Sequence, residues 1–210
     1  LKTHVSYICK NDASNVVCIP IGIPDDTSNP FFSTGVGGPQ IKKNKFVIGY
    51  VGTVGTTNAL DTLFRALERI DLVQQNIECH VVGGGPLLEY YLKRYSHIAN
   101  LSFFGHVEKE NVAEIISAFD VVYFSTFRSK VWDYGQSLNK ITDYMLAGKP
   151  ILGSYSGYPS MVNEANCGWF IPAEDSIALS NKIESLSACD KDALAIIGRR
   201  GRSWIQNNRK

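Results

Sequence analysis

The segment from Tyr134 to Pro150, YGQSLNKITDYMLAGKP, holds the side chains whose types and spacing suit work on a phosphorylated ligand. Ser137 stands where a helix N-cap would be, which puts Leu138, Asn139 and Lys140 in the first turn. First-turn N–H groups lack partners within a helix and can receive a phosphate. Lys140 adds a full positive charge. Asn139 and Asp143 are four residues apart, and Lys140 and Asp143 three apart, so a helix sets all three on one polar face. That face would hold a diphosphate at its N-terminal end and offer the Asp143 carboxylate to two ribose hydroxyls one turn on. The competing reading is an exposed Lys140–Asp143 surface pair worth under ~1 kcal/mol. Spacing alone leaves both open.

Gly52-Thr53-Val54-Gly55 is a second candidate, between an apolar run and a helical stripe. Glycines let a ligand approach the backbone, and a following helix offers N–H groups to an anion. Taken by itself, a tight turn without ligand is the better reading. The spacing is not GxGxxG, and no acidic residue ends the next strand to take a ribose, which disfavours a dinucleotide site. The glycines of Ser33–Pro39 have no strand before them and no helix after, which disfavours a phosphate loop there.

Several classes of function are excluded by composition. The net charge of +1 gives no bulk attraction to nucleic acid. Arg199, Arg200, Arg202, Arg209 and Lys210 form the one basic cluster, read as the solvated face of a last helix, with contact to anionic lipid or another domain as the alternative. The cysteines at 9, 18, 79, 167 and 189 share no metal-type spacing and fit a reducing compartment. The four histidines are scattered, so no zinc site is expected. No apolar run is long enough to span a bilayer. No signal peptide is read in the residues that follow Leu1.

Elements must carry these loops to one place. Residues 1–23 read as an incoming segment with a short strand at Val16–Ile19, and residues 24–45 as a mobile loop rich in Gly, Ser, Pro and Asp. From 46 to 210 strands and helices alternate. Phe46–Val51 is a continuous apolar run, as in a strand buried on both faces. A helix is expected from Asn58 as N-cap, striped by Leu60, Leu63, Phe64, Leu67 and Ile70. Strands at Ile77–Val82, Leu101–Phe104, Val121–Phe124, Ile151–Leu152 and Trp169–Ile171 follow, separated by helical stripes. Pro86 suits a first helical position, residues 158–166 a short helix, and two helices close the chain. This predicts an α/β, Rossmann-like parallel sheet with helices on both faces, its ligand edge at the carboxyl ends of the strands.

Residues 134–150 resemble the donor-binding helix of family 4 GT-B glycosyltransferases, which use nucleotide sugars and retain anomeric configuration. The form SLNKITDYMLAGKPIL is most similar to the bacterial subgroup that builds surface polysaccharides, including fucosamine-type transferases. CIPIGI, FVIGYVGTVGTTNALDTLFRAL, HVVGGGP and LSFFGHVEKENVAEIISAFDVVYF resemble, in order, further segments of the same family's C-terminal domain. The resemblance implies the C-terminal half of a GT-B fold. It implies that Gly52, Thr53 and Gly55 border the phosphates and sugar, and that Gly105, His106 and Val107 meet the base through backbone groups. Leu138, Asn139 and Lys140 would hold the diphosphate, and Asp143 the ribose.

The sequence departs from that family at four places, one of them Ile21, where an Asn is common in the turn after the first strand. Thr53 and Asn58 stand where an Arg and a Lys are usual, and Gly135 where a glutamate opens the motif. Arg128, Lys130 or Lys140 would then supply the missing charge. The resemblance further implies a nucleotide-sugar donor, probed first as a UDP-sugar, with no cofactor and no required metal. The acceptor site would come from an N-terminal domain of the same polypeptide, and the acceptor would be lipid-linked at the inner face of a membrane in a cytoplasmic setting. A binding module without turnover and a GT-B epimerase are the alternatives.

Overall fold

The computed structural model describes residues 21–23 and 44–209. The expected strand at Val16–Ile19 lies outside them, as does the 24–45 loop except for Asn44 and Lys45, and as does Lys210 of the basic cluster.

Six strands form one parallel sheet: β1 (Phe46–Val51), β2 (Ile77–Val82), β3 (Leu101–Phe103), β4 (Val121–Ser125), β5 (Ile151–Ser154) and β6 (Gly168–Ile171). Seven α-helices are described: α1 (Asp61–Leu67), α2 (Leu88–Arg94), α3 (Lys109–Ser117), α4 (Asn139–Leu146), α5 (Met161–Glu164), α6 (Ser176–Ser187) and α7 (Lys191–Asn208). Strand order is β3-β2-β1-β4-β5-β6. Right-handed crossovers that build outward in one direction put their helices on one face, so covering the other face requires the strand order to reverse, and the reversal falls between β1 and β4.

Burial on both faces explains the unbroken apolar run of β1, all six residues of which are buried. Its alternate side chains enter two cores. Phe46, Ile48 and Tyr50 pack with Leu63, Phe64 and Leu67 of α1, Tyr91 of α2 and Leu179 and Ile183 of α6. Val47 and Val51 pack with Ile115 and Ile116 of α3, Ile141 and Met145 of α4 and Ile205 of α7. The sheet thus carries helices on both faces, as its apolar pattern predicts.

β1 and β2 stay in register along their whole length, from Phe46 opposite Ile77 to Val51 opposite Val82. β1 and β4 pair only at Ile48–Val121 and Gly49–Val122 and then part. Tyr144 of α4 fills the resulting gap. Its hydroxyl accepts from the Val51 N–H at 3.0 Å and lies 3.1 Å and 3.2 Å from the Val51 and Tyr123 carbonyls. An unpaired buried backbone amide would cost about 1–3 kcal/mol, so the contact fixes α4 against the open end of β1. Because Tyr144 points into the sheet, its neighbour Asp143 is exposed.

Four helix starts differ from expectation. Asn58 does not cap a helix; it ends a 3-10 turn at Thr56–Asn58, and α1 begins at Asp61. Leu138 rather than Ser137 is the N-cap of α4. Pro86 precedes α2, whose N-cap is Leu87. The helix expected over 158–166 is the single turn α5, closed by a capping box between Ser160 and Asn163. Among the described residues, no helix is long and apolar enough to cross a membrane.

Candidate functional site

Three loops meet at the carboxyl edge of the sheet. The Gly52–Gly55 loop follows β1, Gly83–Gly85 follows β2, and Gly105–Val107 follows β3. They are joined backbone to backbone: Gly52 N–H to the Val82 carbonyl at 2.9 Å, Val54 N–H to Gly84 at 2.8 Å, and Gly83 N–H to Gly105 at 2.6 Å. Gly83 has φ +135, and a Cβ there would run into the Gly52 carbonyl. Only glycine permits that approach. Gly105 has φ +61 with nothing within 4 Å of where its Cβ would point. His106 is exposed beside it, and Val107 is partly buried against the second core.

α4 enters this edge from the β4 side. Leu138 offers no side-chain cap, so the first-turn N–H groups are not claimed by a capping oxygen and keep their affinity for an anion. Asn139 and Asp143 share the exposed face of α4. Although Asp143 is exposed, partial desolvation of its carboxyl raises its pKa above the ordinary value, and the positive charge of Lys109 partly offsets this. That interaction places Asp143 near the segment that follows Val107.

Lys140 does not join that face, nor does it pair with Asp143. It turns inward to the loop after β1. Its ammonium lies 2.5 Å from the Asn58 Oδ1, 3.0 Å from the Tyr50 hydroxyl and 4.6 Å from the centre of the Tyr50 ring. A Cβ on Gly52 would sit 3.4 Å from the ammonium. Desolvation pushes its pKa down to about 8. No salt bridge to Lys140 forms among the described residues, so its charge faces the ligand edge uncancelled.

Thr53 contributes its carbonyl, which accepts from the Tyr50 hydroxyl at 2.6 Å and the Asn58 Nδ2 at 2.9 Å. Arg128 follows the carboxyl end of β4. Its Nε donates to the Ala173 carbonyl at 3.1 Å, and it lines an open depression with Ser129, Lys130, Asp133 and Ser156. No contact links it to Lys140. The edge brings together Gly52, Thr53, Gly55, Gly105, His106, Val107, Leu138, Asn139, Lys140 and Asp143, while Arg128 and Lys130 line their own depression beyond the carboxyl ends of β4 and β5. A separate cavity of ≈ 290 Å³, between the ends of α1 and α2, lies at the opposite edge of the sheet and includes none of these residues.

Tyr50 escaped sequence reasoning because it sits among aliphatic residues in a buried strand and reads as core. A hydroxyl in such a run is the one available signal, since it must find a partner when buried.

The arrangement suits a small anionic ligand with a polar tail, and comparison with known proteins bears on which. The profile of glycosyl transferases group 1 matches residues 45–188, more than half of the chain. The chain belongs to the group 1 glycosyl transferases. This group 1 chain is 29% identical over 69 residues to the Escherichia coli (strain K12) protein named as a colanic acid biosynthesis glycosyltransferase, WcaL, a match covering 32% of the chain and 17% of WcaL. In structure it is similar to a glycosyltransferase from Rickettsia africae, with a TM-score of 0.74 at 18% identity, covering 100% of the chain and 57% of that protein. It is also similar to Anabaena HepE in complex with UDP-glucose, with a TM-score of 0.62 at 17% identity, covering 80% of the chain and 45% of HepE. The chain thus spans only part of the length of these relatives, and the structural matches are likenesses of fold. They agree with a Rossmann-like domain of the GT-B kind.

Proposed function

We propose that this group 1 glycosyl transferase chain is the donor-binding half of a retaining, family 4 enzyme of the fucosamine-transferase-like subgroup. Its donor is a nucleotide sugar, UDP-linked, and its product is part of a polysaccharide or glycan. The observation that carries the reading is the Lys140 ammonium, held beside Gly52 at the uncapped start of α4 with no salt bridge to it among the described residues. A diphosphate there would meet one full cation and the positive end of a helix. The Asp143 carboxylate, one turn along, would take the ribose hydroxyls, and the turn at Gly105–Val107 the base.

In transfer, charge builds on the leaving diphosphate, and preorganised positive charge at that point is the main catalytic lever. Lys140 and the helix dipole supply it here without a tightly held metal. An N-terminal domain of the same polypeptide provides the other cleft wall and the acceptor site, and the acceptor is lipid-linked at the membrane's inner face. HepE, of similar fold, is crystallised with UDP-glucose, which supports the uridine assignment. A nucleotide-sugar-binding module without turnover is favoured by Thr53 and Gly135, where the resemblance would place an Arg and a Glu.

A thermal-shift series with UDP, GDP, ADP and their sugar conjugates tests the reading. A ligand at 100 times its dissociation constant stabilises by about 2.7 kcal/mol, so UDP compounds are expected to raise Tm measurably. No shift with any nucleotide at millimolar concentration would overturn donor binding. A shift with GDP alone would overturn the uridine assignment and leave the donor site standing. Sugar transfer by these residues alone would contradict the division into halves.

A further inference from the structure

We infer that Tyr50 and Asn58 are positioning residues that hold the Lys140 ammonium ready for the donor's diphosphate, with the Thr53 carbonyl as the hub that orients both. The inference rests on the donor-site reading of Lys140. A lysine head group on a four-carbon stem is otherwise mobile, and ordering it at the moment of binding costs affinity. Here the cost is met during folding.

The ammonium spends two of its three N–H donors on Asn58 Oδ1 and the Tyr50 hydroxyl. Each acceptor is itself fixed. Tyr50 donates its one proton to the Thr53 carbonyl at 2.6 Å, so only its lone pairs can face Lys140. Asn58 Nδ2 donates to the same carbonyl at 2.9 Å, which sets the carboxamide with Oδ1 toward the lysine. The Ser125 hydroxyl donates to the Asn58 carbonyl at 2.6 Å and ties this turn to the end of β4. Three elements separated in sequence, the loop after β1, the end of β4 and the start of α4, therefore close on one amine.

Both acceptors are neutral, and this decides the role. A carboxylate in either place would orient the ammonium and also cancel the charge an incoming anion needs. Neutral oxygens orient it and leave the charge. Gly52 completes the arrangement, because a side chain there would crowd the ammonium and the Tyr50 hydroxyl. Asn58 stands where the family resemblance would place a cation. In this chain that position holds the lysine of another element.

Among the described residues Tyr50 is the titratable group in contact with the ammonium; burial first, and then Tyr144, Tyr123 and Tyr91, hold Tyr50 far above the ordinary tyrosine range. Tyr50 therefore stays neutral while Lys140 titrates. Acceptors favour the charged amine, so removing one lowers the pH at which the charge is lost.

Calorimetric titration with UDP across pH 6.5–9.5 tests this on wild type, Tyr50→Phe, Asn58→Ala, Asn58→Asp and Lys140→Met, with each of the first two also combined with Lys140→Met. Tyr50→Phe and Asn58→Ala should each weaken UDP about three- to tenfold, and neither should weaken it further once Lys140 is gone. The alkaline loss of affinity should move to lower pH in Asn58→Ala and to higher pH in Asn58→Asp. Equal weakening with and without Lys140 would overturn the positioning role. So would unchanged affinity and an unmoved alkaline limb in the Tyr50 and Asn58 variants while Lys140→Met loses UDP. Unchanged UDP affinity in folded Lys140→Met would instead overturn the donor-site reading itself.

Discussion

The Tyr144 hydroxyl occupies the place that a neighbouring strand would take at Val51, accepting its N–H at 3.0 Å where β1 and β4 have separated. One side chain thus keeps the strand ends apart and anchors the helix that faces the opening. The strand reversal that creates a crevice and the helix that lines it are coupled through this oxygen.

Tyr144→Phe should test that coupling. The Val51 N–H would lose its partner in a dry site, at about 1–3 kcal/mol. Chemical denaturation should show this loss with an unchanged slope. An effect below about 0.5 kcal/mol would mean that water or a backbone shift satisfies Val51.

Gly83→Ala should be more damaging than its size suggests. The residue would have to hold φ +135 with its methyl against the Gly52 carbonyl. Strain of about 1–3 kcal/mol is expected, with displacement of the loop after β1. Thermal unfolding and UDP titration should both register it; a stable variant with unchanged UDP affinity would show that the two glycine loops are free to part.

Lys140→Met should strengthen the fold and weaken the ligand. The lysine's pKa is about 8 in the folded chain against an ordinary 10.5. Between those values the unfolded chain binds a proton that the folded one does not, so the lysine's contribution to stability rises as pH rises through that window and is unfavourable below it. At pH 7 an apolar replacement of similar shape should stabilise by about 1–3 kcal/mol. Denaturation at pH 7 and pH 10 in both proteins would show the gain at pH 7 and its shrinkage at pH 10. A destabilised Lys140→Met at pH 7 would mean that the ring of contacts with Tyr50 and Asn58 outweighs desolvation.

β1 was legible to its end residues, because a strand buried on both faces leaves an unbroken apolar run; β2 reads with its observed bounds although Glu78 and His80 interrupt its apolar residues. Helix starts were less legible. Asn58 has the chemistry of a cap, yet its carboxamide is taken by Lys140, 82 residues away. No local rule weighs that competitor. Lys140 seemed to belong with Asn139 and Asp143, since helical spacing shows which residues are neighbours and not which way a long side chain turns. The Gly83–Gly85 run reads as a turn, and its need for glycine lies in a loop from another βα unit. Gly105 to Val107 came from the family resemblance alone, as their placement depends on strand register.

Asp143→Asn should preserve the fold, since the carboxylate is exposed and sizes match. Losing a charge-assisted acceptor costs roughly 1.5–3 kcal/mol, which is about tenfold or more in UDP affinity. Calorimetry on the folded variant should show this. Unchanged affinity would remove Asp143 from the site and restore its reading as surface charge.

The position of the nucleotide is the point on which all of this turns, and backbone amide chemical shifts during UDP titration read it residue by residue. The largest changes should fall on Gly52–Gly55, Gly105–Val107 and Leu138–Asp143, with Arg128 and Lys130 changing less and the cavity between the ends of α1 and α2 silent. Changes centred on that cavity, or saturable binding that leaves the start of α4 unmoved, would contradict a donor site at the carboxyl edge of the sheet.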